Sequence, residues 1–87
     1  MASINFSKKG NLFEGTFQVN GDFGLQIEGA QVGNITLSIK LPEADNYVPA
    51  GVFAGRSYIC QGCSFDSYPL DVKVQTTFNP TVAIYQE

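Results

Sequence analysis

The feature that most constrains the fold of this chain is an apolar–polar alternation with a period of two residues. Phe17 and Val19 fall on one face of a segment whose Thr16 and Gln18 fall on the other. A period of two is typical of a half-buried β-strand, and no eleven-residue window carries a helical apolar face free of Gly, Pro or Asn. We predict strands near 4–7, 13–19, 23–28, 35–41, 52–60, 63–68, 70–75 and 81–85.

The length of the chain limits how these strands can be packed. With 87 residues there is room for one core, which buries roughly 60% of the surface that the unfolded chain exposes. A hydrophobic content of 44% is enough to build it. We therefore expect a single all-β domain over 1–87, an antiparallel β-sandwich or barrel of about seven short strands.

The dipeptide Asn20-Gly21 separates two alternating segments. Asn-Gly is favoured in type I′ turns, whose two central residues need positive φ, so we predict a β-hairpin over 12–28. Pro42 ends the alternation of 35–41, and the stretch from Pro42 to Gly51 is predicted to be a long connection. The residues expected to share the core are Phe13, Phe17, Val19, Phe23, Leu25, Ile27, Ile35, Leu37, Ile39, Leu70, Val72 and Val74, and Leu41 is expected to point the same way as Ile39.

The charges argue against two classes of partner. Eight acidic and five basic residues give a net charge of −3, and only Lys8 and Lys9 are adjacent bases. Because neither a basic stripe nor a polybasic run is present, we expect no binding to nucleic acid or to an anionic membrane. No apolar stretch approaches a membrane span, and 1–5 does not resemble the start of a secretory signal, so we expect synthesis in a cytoplasm.

The residue inventory argues against catalysis. The chain has no histidine, which is the usual general base and the commonest metal ligand. Its four lysines lie at polar, outward or terminal positions, and Glu43 and Asp45 lie in a polar loop where solvation is the ordinary state. We expect no enzymatic activity, no cofactor and no metal site.

Cys60-Gln61-Gly62-Cys63 is the most conspicuous motif. If 60–63 is a hairpin turn, the two thiols face each other within disulfide reach. A reducing cytoplasm favours packed thiols, a structural disulfide is the alternative, and redox or metal chemistry is a third reading.

Four tyrosines are candidate interaction residues. Aromatic side chains on a strand surface can anchor a protein interface or stack on bases, and the alternative is packing at the rim of the core. A small β domain with few charges also has little to protect its edge strands, which favours oligomerisation. The candidates are Tyr47, Tyr58, Tyr68 and Tyr85.

The segment 37–53 resembles the central part of the single-stranded DNA-binding proteins of filamentous phages. Those proteins follow an acidic loop with a Tyr-x-Pro-Gly-apolar-aromatic run, and here Tyr47-Val-Pro-Ala-Gly-Val-Phe53 has one extra residue. The resemblance implies a dimeric OB-type barrel whose strands bear lysines and arginines. Because 12–28 has neither, nucleic-acid binding is the alternative function.

A longer resemblance covers 2–7, 17–28, 70–74 and 79–85. These segments are similar to small β-rich virion proteins of tailed phages, crAss-like phages included, which decorate capsids or join fibres to them. The resemblance implies a non-enzymatic virion component that binds other virion proteins or itself. A small carbohydrate-binding module is a third hypothesis, which the absence of Trp weakens.

Overall fold

Seven antiparallel strands make up 71% of the chain, and no helix occurs in the part that is described. The structure, a computed structural model, describes residues 2–87. The strands are β1 Ala2–Ser3, β2 Ser7–Lys9, β3 Leu12–Val19, β4 Phe23–Lys40, β5 Val48–Cys63, β6 Leu70–Thr76 and β7 Pro80–Gln86. The prediction of a small all-β domain is confirmed.

The strands form one curled sheet in the order β1-β7-β4-β6-β3-β2, with β5 paired to β4. β1 and β2 stand at opposite ends of this order, yet only residues 4–6 separate them along the chain. The two ends must therefore approach each other at the N-terminal segment. This curling produces a half-barrel.

β4 bends sharply in its middle. A straight strand of its 18 residues would measure about 60 Å at ~3.3 Å per residue, whereas the longest dimension of the molecule is 33 Å. The bend lies where the pairing with β5 shifts register between Glu28 and Gly33. The part of β4 before the bend pairs with β7 and the part after it pairs with β6. β4 therefore links the two halves of the curled sheet.

Two glycines allow this bend to be packed from inside. A Cβ atom on Gly29 would come within 2.3 Å of the Phe78 ring, and one on Gly33 within 2.2 Å of Thr77 Oγ1. Phe78 is consequently buried against the bare backbone of β4, at 5% exposure. Sequence alternation did not identify this core residue.

Most of the residues predicted to share the core are buried. Val19, Ile27, Val72 and Val74 are fully enclosed, and Phe17 packs across the interior on Tyr85, with ring centroids 4.1 Å apart. Phe13, Phe17 and Ile39 are half-buried. Leu41 does not join Ile39, because β4 ends at Lys40 and the Leu41 side chain is 53% exposed.

The predicted hairpin over 12–28 is wrong. β3 pairs with β2 and β6 and makes no ladder with β4. Gly21 lacks the positive φ that a type I′ turn needs, so 20–22 instead carries the chain across the half-barrel to its opposite side. The hairpins that form are β2–β3, with Gly10 at φ 63°, and β4–β5.

Four predicted boundaries also differ from the structure. The segments 23–28 and 35–41 are parts of one continuous strand, and 52–60 is the middle of β5. The segment 63–68 is mostly loop, since β5 ends at Cys63. The long connection is shortened to 41–47, because β5 begins at Val48 and pairs through Pro49 with Ser38.

Candidate functional site

The longest exposed strand edge in the described chain belongs to β5. One side of β5 pairs with β4 along most of its 16 residues, and no strand between residues 2 and 87 pairs with the other side. An unpaired edge presents a row of backbone N–H and C=O groups that can form a ladder with another chain. We therefore take the outer side of β5, the β5 edge, as the candidate functional site.

Large apolar side chains are concentrated along the β5 edge. Val48, Val52 and Ile59 are 61%, 64% and 62% exposed, and all three lie on β5. Register places Val52 beside Thr36 and Ile59 beside Gln26 on the outer face of the sheet. Arg56 is the one charged residue in 48–63. The edge therefore combines unpaired backbone with exposed apolar side chains.

The other end strands of the sheet are built differently. β1 has two residues and β2 has three, and two of the three are Lys8 and Lys9. Short length and lysine side chains are ordinary ways to prevent edge-to-edge pairing. β5 has neither protection.

An interruption of the β4–β5 pairing, where four residues of β4 lie opposite one residue of β5, divides the β5 edge into two parts. Gly55 pairs with Gly33 and Ser57 with Glu28, so β5 passes the bend of β4 with a single intervening residue. Phe53 and Tyr58 consequently both face inward, where their rings stack with centroids 3.9 Å apart. We call 48–55 the upstream arm and 57–63 the downstream arm.

The cysteine motif lies at the end of the downstream arm and not in a hairpin turn. Cys60 pairs with Leu25 and Cys63 with Phe23, so three steps along β5 match two along β4. Gly62, at φ 73°, supplies the backbone of this β-bulge. The extra residue turns both cysteines to the same face, and the structure joins them in a disulfide with their Cα atoms 6.0 Å apart.

The four candidate tyrosines lie at four separate places, and each has a partner within the molecule. Tyr85 stacks on Phe17 inside the half-barrel, and Tyr58 stacks on Phe53. The Tyr68 hydroxyl accepts a hydrogen bond from the Phe65 amide and donates one to Asp22 Oδ1, both at 3.0 Å. They do not form one aromatic surface.

Tyr47 lies over the polar face of the sheet. Its ring centroid is 4.5 Å from Lys73 Nζ and 5.5 Å from Lys40 Nζ. Lys40 also forms an ion pair with Asp71 at 2.9 Å. The loop 41–47 thus brings two of the five basic side chains to one aromatic ring.

The polar face shifts two pKa values in opposite directions. The hydrogen bond from Lys40 holds the pKa of Asp71 below its ordinary value, against the effect of partial burial, and a bond from Gln18 adds to the lowering. Burial raises the pKa of Tyr47, and the negative charge of Asp71 raises it further. Of the two shifts, only the lowered pKa of Asp71 contributes to stability at neutral pH, where Asp71 is ionised and paired with Lys40.

Clusters of metal-binding side chains and surface grooves are the other candidate sites. No group of three or more Cys, Asp or Glu side chains in 2–87 is placed to hold a metal ion. An open groove of about 550 Å³ is lined by Leu41, Pro42 and Tyr68, and one of about 170 Å³ by Ile59 and Ile84. Within 2–87 there is no helix with the length and apolar character that spanning a membrane requires of a helix.

Sequence analysis predicted unprotected strand edges but did not identify which strand forms one. The signal was available in 48–63, where sixteen residues contain one charge and three large apolar side chains that turn out to be exposed. The residues proposed from the sequence were the four tyrosines and not Val48, Val52 and Ile59.

No family model, curated protein or solved structure matches the chain.

Proposed function

We propose that this protein is a non-enzymatic structural module that associates with copies of itself and with other protein subunits through the β5 edge. The observation that carries the proposal is a 16-residue strand paired on one side alone among the described strands. Strand addition to such an edge is a recurrent mode of protein recognition, in which the backbone ladder supplies affinity.

The energetics favour association of moderate strength. Burying an exposed Val or Ile contributes about 1.5–3 kcal/mol, and each net ladder hydrogen bond about 0.5–1.5 kcal/mol. Association costs about 4–15 kcal/mol in lost translational and rotational freedom. With two or three apolar side chains and a short ladder, the gain and the cost are of similar size, so a single contact of this kind gives at most moderate affinity.

The resemblance to virion proteins of tailed phages supports a more specific form of the proposal. In that form the partners are other virion subunits, and the protein resides in the virion. A repeated assembly would also raise the local concentration of β5 edges, so that individually weak contacts become sufficient.

The test is sedimentation velocity from about 1 to about 300 µM, a range that brackets the constants expected for small interfaces. We expect the native chain to self-associate and Val52→Lys to weaken this association. Val32→Lys is the matched control, because Val32 is 79% exposed but lies on β4, the strand on the paired side of β5. A monomer at every concentration, or equal effects of the two lysines, would refute the proposal.

A further inference from the structure

The upstream arm contains the longest stretch of β5 in unbroken register with β4. Five consecutive pairs join Gly51–Gly55 of β5 to Leu37–Gly33 of β4, without a shift. The sequence of this stretch is Gly-Val-Phe-Ala-Gly. Apart from Val52 and Ala54, which differ in size, it reads the same in both directions about Phe53, and we refer to it as a palindrome in this sense.

We infer that 51–55 pairs with the same five residues of a second copy, antiparallel, about a two-fold axis at Phe53. The inference rests on the proposed function and names the occupant of the β5 edge. A two-fold axis makes the interface self-complementary, so that Gly51 opposes Gly55 and Val52 opposes Ala54. Phe53 of one copy then opposes Phe53 of the other.

Side-chain size fits this register on both faces of the sheet. Residues directly opposite on antiparallel strands share a face and contact each other. On the outer face, Val52 meets Ala54, a larger side chain against a smaller one. On the inner face, the Phe53 ring already leans over Gly51, where a Cβ atom would come 3.0 Å from its Cζ atom. The glycines opposite each other leave room beside the two rings.

The distribution of charge also favours a second copy. The chain has a net charge of −3, but none of its eight acidic residues lies in 48–63. Two β5 edges can therefore approach without bringing carboxylates together. In the proposed register the two Arg56 residues are six positions apart, roughly 20 Å along the ladder, which exceeds the Debye length of about 8 Å at physiological salt.

The downstream arm is less suited to the same pairing. Its unbroken register covers four pairs, from Ser57 to Cys60, and then ends at the bulge of Gly62. Ser-Tyr-Ile-Cys has no palindromic arrangement. Val52 and not Ile59 is therefore expected to lie inside the interface.

A size exchange within the palindrome tests the register. Val52→Ala should weaken dimerisation about tenfold or more, because two valines are truncated per dimer. Ala54→Val should also weaken it, because Val then opposes Val. The double variant Val52→Ala/Ala54→Val restores large against small, and we expect its dissociation constant to return to within about threefold of the native value. A double variant as weak as the two losses combined would overturn the inference.

Photocrosslinking in the full chain gives an independent readout. p-Benzoylphenylalanine at position 52, in a mixture of ¹⁴N- and ¹⁵N-labelled protein, should join two copies within 51–55, and the same probe at position 32 should not. Crosslinks from position 52 to another region would overturn the two-fold axis, while the proposed function would stand if Val52→Lys still weakened association. A monomer in sedimentation would overturn both.

Discussion

Strands β5 and β6 flank the same part of β4 but have opposite characters. β6 pairs with β4 on one side and with β3 on the other, and its residues alternate strictly between buried and half-buried. β5 pairs with β4, and most of its residues are exposed. Both strands contain two valines, Val72 and Val74 on β6 and Val48 and Val52 on β5. A valine on a strand with neighbours on both sides stabilises the core, whereas a valine on a strand paired on one side remains available to a partner. The neighbouring strands decide this more than the sequence alternation does.

The polar residues of the two strands differ in the same way. On β6, Asp71 is held by Lys40 and Gln18, and Lys73 lies against the Tyr47 ring. These contacts occupy the outward side chains of β6 within the molecule. The outward side chains of β5 include Val52 and Ile59, which are mostly exposed. The β6 face is thus satisfied internally, whereas the β5 edge is available for association.

Matched truncations on the two strands give the largest expected difference. Val72 is fully buried on β6, and Val52 is 64% exposed on β5. Val72→Ala should lower the free energy of unfolding by about 2–3 kcal/mol, because two methyl groups leave the core and a cavity remains. Val52→Ala should change the stability of the monomer by less than about 0.5 kcal/mol. Urea unfolding at a concentration below self-association measures both.

Equal losses at the two positions would contradict the comparison. They would mean that Val52 is covered within the monomer and that the β5 edge is not exposed. Circular dichroism of both variants before unfolding serves as the control for an intact β-sheet.

Local sequence patterns predicted the strands and most of the core because burial on one face leaves a period of two. Phe23, Leu25 and Ile27 were placed inward on this basis, and all three are buried. The pairing of β3 could not be predicted, since its partner β6 lies about fifty residues away and Asn20-Gly21 offered a plausible local alternative. The bend of β4 was also hidden, because it depends on Phe78 packing against Gly29 from a distant segment.

The candidate site was less accessible to prediction than the core. A strand is an edge strand when no other strand pairs with one of its sides. The apolar–polar alternation of the sequence is the same on edge and central strands. The Gly-Val-Phe-Ala-Gly palindrome becomes informative only after the structure places it on an unpaired edge. The disulfide likewise depends on the bulge at Gly62, whereas sequence reasoning favoured reduced thiols in a hairpin turn.

Removing the charge of Asp71, on the polar face of β6, should lower the free energy of unfolding by a smaller amount. The folded state lowers the pKa of Asp71 below its unfolded value of 3.8, so its stabilising contribution is present above that pH. It is lost as the pH falls through the lower, folded-state pKa. Asp71→Asn should therefore cost about 0.2–1 kcal/mol at neutral pH, as expected for a surface ion pair whose side chains are partly exposed.

Urea unfolding of the native chain and Asp71→Asn at pH 7 and at pH 2 checks this prediction. The difference in unfolding free energy should shrink at the lower pH. Gln75→Ala, on the same face, is the control, because its bond to Glu14 does not involve Asp71. A difference that is the same at both pH values would show that Asp71 acts through packing or hydrogen bonding alone.

The smallest expected effect concerns the alternative function, single-stranded nucleic-acid binding. Of the five basic residues, Lys40 and Lys73 meet on the Tyr47 ring, and Lys40 is already paired with Asp71. Two phosphate contacts would give a slope of log affinity against log salt of about −1.4, at ~0.7 per phosphate. Stacking on Tyr47 could add about 1–3 kcal/mol, which does not compensate for a protein of net negative charge.

We therefore expect a fluorescent oligonucleotide of ~20 bases to bind with a dissociation constant well above the micromolar range at ~150 mM salt. Tyr47→Ala and Tyr58→Ala should bind the oligonucleotide as weakly as the native chain. Neither ring belongs to a groove that neutralises phosphates, so its removal should not change the affinity. A submicromolar constant that weakens steeply with salt and is lost in Tyr47→Ala would reverse the comparison. The polar face beside β6, and not the β5 edge, would then be the functional surface, and the resemblance at 37–53 would be the informative one.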